Sequence, residues 1–377
     1  GATQTWSLQG TPSTTYGSVA LDASSGVWTY TLDNTLAATQ ALKEGQSVTQ
    51  TYTARVTDDK GAYVDQTITV TINGTNDVPV ITNTVAATQG SVSEAGHLDD
   101  GTVVAGTVTA TGDLNASDVD SGATQTWSLQ GTPSTTYGSM AIDSATGIWT
   151  YTLDNTKAAT QALREGDSVT QTYTARVTDD FGAWVDQTIT LTINGTNDVP
   201  VVTNLASAAA GSVSEAGHLD NGTPVAGTVT ATGTLTASDV DSGATQTWSL
   251  QGTPSTTYGS VALDASSGVW TYTLDNTLAA TQALKEGQSV TQTYTARVTD
   301  DKGAYVDQTI TVTINGTNDV PVITNTVAAT QGSVSEAGHL DDGTVVAGTV
   351  TATGDLNASD VDSGATQTWS LQGTPST

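Results

Sequence analysis

A fourteen-residue run, Gly-Ala-Thr-Gln-Thr-Trp-Ser-Leu-Gln-Gly-Thr-Pro-Ser-Thr, begins at Gly1 and returns at Gly122, Gly243 and Gly364, a period of 121 residues. Residues 1–121 and 122–242 differ at 22 positions, and residues 243–377 repeat residues 1–135 without a change. A period this long holds a whole domain in each repeat, unlike the roughly 20–50-residue units of a solenoid. Copies this similar reflect duplication, so a position shared between them is no sign of importance.

The boundary between repeats falls at Asn-Gly-Thr-Asn-Asp-Val-Pro, which occupies 73–79, 194–200 and 315–321. Gly, Asn and Asp end a long β-like run there, and Pro forces an extended start. The boundaries that follow give complete modules at 79–199 and 200–320. Residues 1–78 read as a module without its N-terminal third, and 321–377 as the beginning of another. The chain starts in the middle of the pattern, with no Met and no signal or transit peptide, and so reads as an excerpt of a longer array.

Period-two alternation predicts strands. Val64, Ile68, Val70 and Ile72 share one face, with Asp65, Thr67, Thr69 and Thr71 opposite. Val48, Tyr52, Ala54 and Val56 form another face, as do Trp28, Tyr30 and Leu32, and Val104, Val108 and Ala110. Thr-rich outer faces suit half-buried antiparallel strands. One short helix is expected from Asn34 to Glu44, capped by Asn34 and ended by Gly45. Strands of this kind with Gly-rich turns, over about 120 residues, predict an all-β fold: tandem antiparallel β-sandwich modules in a linear array, with one short helix per module. Trp and Tyr on the inward faces read as core. Phe181 stands where residues 60 and 302 are Lys, in an expected turn, as an exposed apolar residue.

Charge narrows the function. Nine Lys and Arg against 38 Asp and Glu give a net charge of −29, which excludes most nucleic-acid binding and attraction to anionic membranes. No apolar run reaches the length of a membrane span. Cysteine is absent, so disulfides, thiolate metal sites and Cys nucleophiles are excluded. His97, His218 and His339 stand in equivalent Glu-Ala-Gly-His turns, and the sequence marks no nucleophile beside them and no paired spacing for zinc. Spacing alone leaves a glycosidase-type carboxylate pair open. The expected class is nevertheless non-enzymatic.

The acids recur in short loop motifs. Asp118 and Asp120 form an Asp-x-Asp, repeated as Asp239 and Asp241 and as Asp360 and Asp362. Strand-end acids follow at Asp179 and Asp300, linker pairs at Asn76 and Asp77, Asn197 and Asp198, and Asn318 and Asp319, and a Glu at Glu94 and Glu215. Asp-x-Asp in a bent loop aims two carboxylates at one point, and hard cations such as Ca²⁺ take six to eight such oxygens. A linker meets the N-terminal end of the next sandwich, so Asn76, Asp77, Asp118, Asp120 and Asp179 are expected to converge. Asn197, Asp198, Asp239, Asp241 and Asp300 form the next set, and Asn318, Asp319, Asp360 and Asp362 begin a third. Glu94 and Glu215 are candidates that a turn-capping role would explain equally well.

The runs Gly-Val-Trp-Thr-Tyr-Thr-Leu-Asp-Asn (26–34), Ala-Leu-Lys-Glu-Gly (41–45), Thr-Tyr-Thr-Ala-Arg-Val-Thr-Asp-Asp (51–59) and Thr-Ile-Asn-Gly-Thr-Asn-Asp-Val-Pro-Val (71–80), in that order, resemble the VCBS repeat. That family occurs in very large bacterial surface and secreted proteins, often RTX-type adhesins exported by type I secretion. The same stretch is similar to cadherin repeats, whose strand-end Asp, linker Asn-Asp and Asp-x-Asp bind calcium between Ig-like domains. The module length and the Asn-Gly-Thr-Asn-Asp linker depart from the cadherin pattern. The RTX nonapeptide is absent. The resemblance implies a calcium-stiffened extender of an extracellular, cell-surface adhesin, serving adhesion or biofilm formation, with neighbouring modules of the same chain as partners. A filament built from other copies of the chain and a lectin-like sugar-binding module remain as alternatives.

Overall fold

The computed structural model describes residues 3–373; the outermost residues of segments 1–78 and 321–377 lie outside it. The chain divides into two compact units: Gly1–Gly96 with Val103–Asn197, and His97–Thr102 with Asp198–Thr377. Both are all-β apart from single helical turns.

In the second unit, residues 200–320 carry a complete sandwich. One sheet has four strands in the order Ala210–Ser214, Tyr305–Asn315, Ser289–Asp300, Gln246–Leu250. The other has three, in the order Thr230–Thr234, Val269–Leu274, Gly259–Leu263. Alternate residues of the two inner faces meet as a core: Val213, Trp248, Tyr294, Val298, Ile310 and Ile314 from the first sheet, Trp270, Tyr272 and Leu274 from the second. Trp270 is fully buried, and its indole N–H donates to the Ala208 carbonyl at 2.8 Å. That bond satisfies the one polar atom of the largest core side chain.

In the first unit, residues 79–197 build the same pair of sheets. Gln89–Ser93, Trp184–Asn194, Ser168–Asp179 and Gln125–Leu129 form one, and Thr109–Asp113, Ile148–Leu153 and Gly138–Ile142 the other. Residues 3–78 form a three-stranded sheet of Thr5–Gln9, Ser47–Thr57 and Tyr63–Asn73, and a hairpin of Gly17–Leu21 with Trp28–Leu32. Tyr52, Ala54 and Ile68 make a smaller core there.

One pairing departs from the antiparallel rule. Ala210–Ser214 runs parallel to the last strand, with Ser214 opposite Asn315, and Gln89–Ser93 does the same with Ser93 opposite Asn194. The first long strand of each complete sandwich therefore ends beside the following linker.

Two expectations are corrected. The helix is a single turn, Ala37–Gln40, Ala158–Gln161 or Ala279–Gln282, and not the span 34–44. Its N-cap is Leu36 in the first copy, with no side-chain cap bond. Asp33, not Asn34, closes the preceding turn: its Oδ1 accepts from the Thr35 N–H at 2.8 Å and the Thr35 hydroxyl at 2.7 Å. Burial of Leu42 and its counterparts, rather than helix propensity, sets this segment's course. Val104, Val108 and Ala110 do not share one strand. Gly106, at φ +66, breaks the run into Val103–Val104 and Thr109–Asp113, leaving Val108 exposed.

Candidate metal centre at the linkers

Strand register brings the acids to the ends of each sandwich. In the second unit Gln246 pairs with Asp300, so the strand that follows Asp239 and Asp241 lies beside the strand-end acid. Asp239 is pushed above the usual carboxylate range, first by burial and then by the nearby Asp300 and Asp301, against the Asp241 N–H that favours its charged form. At the opposite end, Ser289 pairs with Asn315, and Glu215 donates its backbone N–H to the Asn315 carbonyl at 3.0 Å.

Glu215 is completely buried. The Gln282 amide donates to its Oε1 at 2.8 Å, while its Oε2 has no hydrogen-bond partner. Its pKa is pushed up to about 7, by burial first, then by Asp319 and, more weakly, Asp362. The linker and the next Asp-x-Asp are tied together at the same place. The Asp319 N–H donates to Asp362 Oδ2 at 3.0 Å, and the Asp362 N–H to Asp360 Oδ1 at 3.0 Å. Asp319 and Asp362 are 9% and 7% exposed, and Oδ2 of the first and Oδ1 of the second have no hydrogen-bond partner. Burial and the Asp362 charge raise the pKa of Asp319, against the pull of His218. Asn318 lies in the same linker, where its carbonyl accepts the His218 N–H at 2.6 Å.

The preceding linker repeats the pattern. The Asp198 N–H donates to Asp241 Oδ2 at 2.9 Å, and the Asp241 N–H to Asp239 Oδ1 at 3.0 Å. Burial raises the pKa of Asp198, with His97 opposing and Asp239 adding to the rise. In the first unit the Asp77 N–H donates to Asp120 Oδ2 at 2.9 Å, the Asp120 N–H to Asp118 Oδ1 at 2.9 Å, and the Asn76 amide to Asp179 Oδ2 at 2.9 Å. Asp77 is raised by burial, then by Asp120 and Asp118. Burial would raise Asp179 too, but its bonds from Asn76 and the N–H groups of Phe181 and Ala183 outweigh it and hold its pKa low. Asp120 Oδ1 is buried without a partner.

At this linker Asn76 is thus bonded to Asp179, and Asp77 to Asp120 and through it to Asp118. Asp198, Asp239 and Asp241 meet at the next, where Asn197 is buried and belongs to the first unit. Asp300 accepts from the N–H groups of Lys302, Gly303 and Ala304 and so closes its own turn. Glu215 sits with Asn318, Asp319, Asp360 and Asp362, at the far end of its sandwich from Asp239 and Asp241. Glu94, equally buried, is placed in the same way: its N–H donates to the Asn194 carbonyl at 2.9 Å and its Oε1 accepts from Gln161 at 2.7 Å. Both Glu side chains are pinned by hydrogen bonds from a distant Gln, which a turn cap would not need.

Sequence reasoning missed two contributors. His97 and His218 bring Nδ1 to 3.7 Å from Asp198 Oδ1 and Asp319 Oδ1. Gln161 and Gln282 hold Oε1 of Glu94 and Glu215 across 67 residues of chain. The short Glu-Ala-Gly-His spacing was a signal for the His, whereas nothing local marks the Gln. Among the described residues no group of three or more His, Asp or Glu side chains is drawn together as a formed metal centre. The donor chemistry fits a hard cation nonetheless: Asp, Glu and Asn oxygens, several of them buried and unsatisfied at neighbouring positions.

Elsewhere the exposed aromatics of the long hairpins are already covered on one face. Arg55, Arg176 and Arg297 lie 3.6, 3.4 and 3.5 Å from the ring centroids of Tyr63, Trp184 and Tyr305. Phe181 is 43% exposed, with Lys43 Nζ at 5.9 Å from its ring. No helix among the described residues is long and apolar enough to cross a membrane.

A family model described as a bacterial cadherin-like domain matches residues 197–316, one repeat's length. No curated protein matches the chain. Among solved structures, the chain is similar to mouse cadherin-23 EC22-24 at 18% identity and a TM-score of 0.41, over 84% of this chain and 87% of that one. It is similar to the protocadherin GammaB4 extracellular domain at 19% identity and a TM-score of 0.41, over 96% of this chain and 51% of that one. For human CDH23 EC21-23 the identity is 16% and the TM-score 0.40, over 83% and 88%. The sheet topology and the family match agree on tandem cadherin-like β-sandwiches.

Proposed function

We propose that this chain is the non-enzymatic, calcium-stiffened extender of a large bacterial surface adhesin, extracellular and exported, that carries a binding domain away from the cell. The observation that supports this best is the cluster of Glu215, Asp319 and Asp362. Each has a buried carboxylate oxygen with no hydrogen-bond partner, and each neighbours like charge. Buried like charges without a counter-ion destabilise a fold.

Ca²⁺ bound at the linkers would supply positive charge and take six to eight oxygens, and extracellular modules bind it at about 10⁻⁴–10⁻³ M. Glu215, Asn318, Asp319, Asp360 and Asp362 would hold it at one linker. Asn76, Asp77, Asp118, Asp120 and Asp179 would hold it at another, and Asp198, Asp239, Asp241 and Asp300 at the one between. Residues 122–242 carry 12 acids and 3 bases, so bound cations would also offset part of that repeat's −9. The modules 79–199 and 200–320 are the beads of this reading, each joined to the next by a linker of a few residues that would flex without the ion. The Arg stacks over Tyr63, Trp184 and Tyr305 favour this reading over a sugar site.

Small-angle X-ray scattering of the chain across a calcium titration, with chelator as the zero point, tests the proposal. The expected result is a longer, stiffer profile as calcium nears millimolar, blunted by Asp120→Ala and Asp241→Ala. A profile indifferent to calcium would sink it.

A further inference from the structure

The sequence holds four Asn-Gly pairs, at 73–74, 194–195, 221–222 and 315–316, all within Asn-Gly-Thr triplets. The structure treats them unequally. The Asn194 amide donates to the Ser91 hydroxyl at 3.0 Å and the Val92 carbonyl at 3.1 Å, and the Gly195 N–H to the Asp167 carbonyl at 3.0 Å. Asn315 and Gly316 are held in the same way, by Ser212, Val213 and Gln288 at 2.9, 3.0 and 2.9 Å. A side-chain atom at Gly195 or Gly316 would collide with the Leu163 or Leu284 carbonyl, so neither backbone has room to rearrange. Asn73 keeps the backbone bond, from Gly74 to the Gln46 carbonyl at 2.9 Å, but its side chain is exposed.

Asn221 lies at the tip of the hairpin formed by Gly217–His218 and Pro224–Val225. It and Gly222 are exposed, Gly222 has φ +79, and nothing stands within 4 Å of where a Gly222 side chain would begin. Among the described residues the tip is held by its own turn bonds: Leu219 N–H to the Thr223 carbonyl at 2.9 Å, Gly222 N–H to the Leu219 carbonyl at 2.7 Å, and Thr223 N–H to Asn221 Oδ1 at 3.0 Å. Such tips open at little cost, whereas strand ends packed into a core open nearly with the whole fold.

We infer that Asn221 is a self-modifying site that deamidates selectively in the folded protein. When the tip opens, the Gly222 backbone nitrogen attacks Asn221 Cγ. The new N–Cγ bond closes a succinimide, the Cγ–Nδ2 bond breaks, and ammonia leaves with the proton from the Gly222 amide. Solvent water then adds to one of the two ring carbonyls and opens the ring to Asp or isoAsp, with no redox change. Residues 100 and 342, which stand at the equivalent position of the sister copies, are already Asp. The Asp product therefore matches residue 221 to its two counterparts, while Pro224 still stands where the sister hairpins have Val103 and Val345. The isoAsp product lengthens the backbone by one methylene, in a hairpin whose His218 N–H is bonded to the linker carbonyl of Asn318.

The test is peptide mapping by mass spectrometry of the full chain after incubation at mildly alkaline pH, native and in denaturant. Residues 305–373 repeat 63–131, so Asn73 and Asn315 give the same peptide, and an Asn73→Ser variant isolates Asn315. In the native chain the Asn221 peptide is expected to gain one mass unit, as an Asp and isoAsp pair, about tenfold or more faster than the Asn194 and Asn315 peptides. In denaturant all should convert at similar rates, and Gly222→Ala should slow Asn221 in both conditions. Equal native rates at Asn221 and Asn194, or an unconverted Asn221 in a native chain whose denatured form converts, would overturn the inference.

Discussion

Residues 1–78 and 243–320 are identical in sequence, and the structure gives them different interiors. Both form the same hairpin in the same register: Gly17 pairs with Leu32 as Gly259 pairs with Leu274. Yet Trp28 is 45% exposed where Trp270 is 0%, and Leu32 is 41% exposed where Leu274 is 4%. The difference is the segment 200–242. It lays Thr230–Thr234 along Val269–Leu274, and Ala210–Ser214 along Tyr305–Asn315. It also leads in with Ala208, the acceptor for the Trp270 N–H. Strand and turn formation are thus local properties of this sequence, whereas burial of its aromatic face is not.

The largest test of that contrast is a pair of truncations. Trp270→Ala should cost about 3–5 kcal/mol, because it removes a fully buried ring and leaves a cavity. Trp28→Ala, at the same sequence position, should cost under about 1 kcal/mol, as a half-exposed residue does. Calorimetry of the two variants measures both, and equal losses would mean that the aromatic face of 1–78 is covered after all.

A smaller effect separates the copies by pH. Segment 1–78 itself contains no counterpart of Glu215, whose equivalents are Glu94 and Glu336. The raised pKa of Glu215 means that the folded state holds its proton after the unfolded state has lost it. Its contribution is fully present below the unfolded value of 4.5 and is lost as pH rises through about 7. In chelator, segment 200–320 should therefore lose on the order of 3 kcal/mol across that window, a shift of between two and three pKa units. Denaturant unfolding at a series of pH values would show the slope, and Glu215→Gln should flatten it. A slope that survives Glu215→Gln would assign it to other acids. Calcium should remove much of it by holding the carboxylate charged.

The smallest effect is a control in which the copies should agree. Arg55 bonds Asp65 at 2.7 Å and stacks on Tyr63, and Arg297 bonds Asp307 at 2.7 Å and stacks on Tyr305. Each trio is built within one hairpin, a half-buried Arg between an exposed ring and an exposed Asp. Arg55→Ala and Arg297→Ala should therefore shift unfolding slightly and equally. Unequal shifts would show that context reaches even this local feature.

Much of the architecture was legible in the sequence. The alternation at Val64–Ile72 and Val48–Val56 marks the long hairpin, because a half-buried strand must alternate. The helix is shorter than its sequence signals, since Asn34 and Gly45 look like caps while the structure uses Asp33 and one turn. Gly106, with its positive φ, is what splits Val104 from Ala110. At the linkers, Asn-Asp and Asp-x-Asp were legible as a group because each is a short loop motif placed at a strand end.

By itself, then, the sequence determined the repeat, its strands and turns, and the acidic loops, since each depends on residues a few positions apart. Only the tertiary structure decided which end of a sandwich Glu94 and Glu215 occupy. An antiparallel first strand would have carried Glu215 away from Asn318 and Asp319, and the parallel pairing of Ser214 with Asn315 carries it to them. The tertiary structure likewise decided that Trp270 is core and Trp28 is not, because burial requires a second surface and no run of residues contains its own.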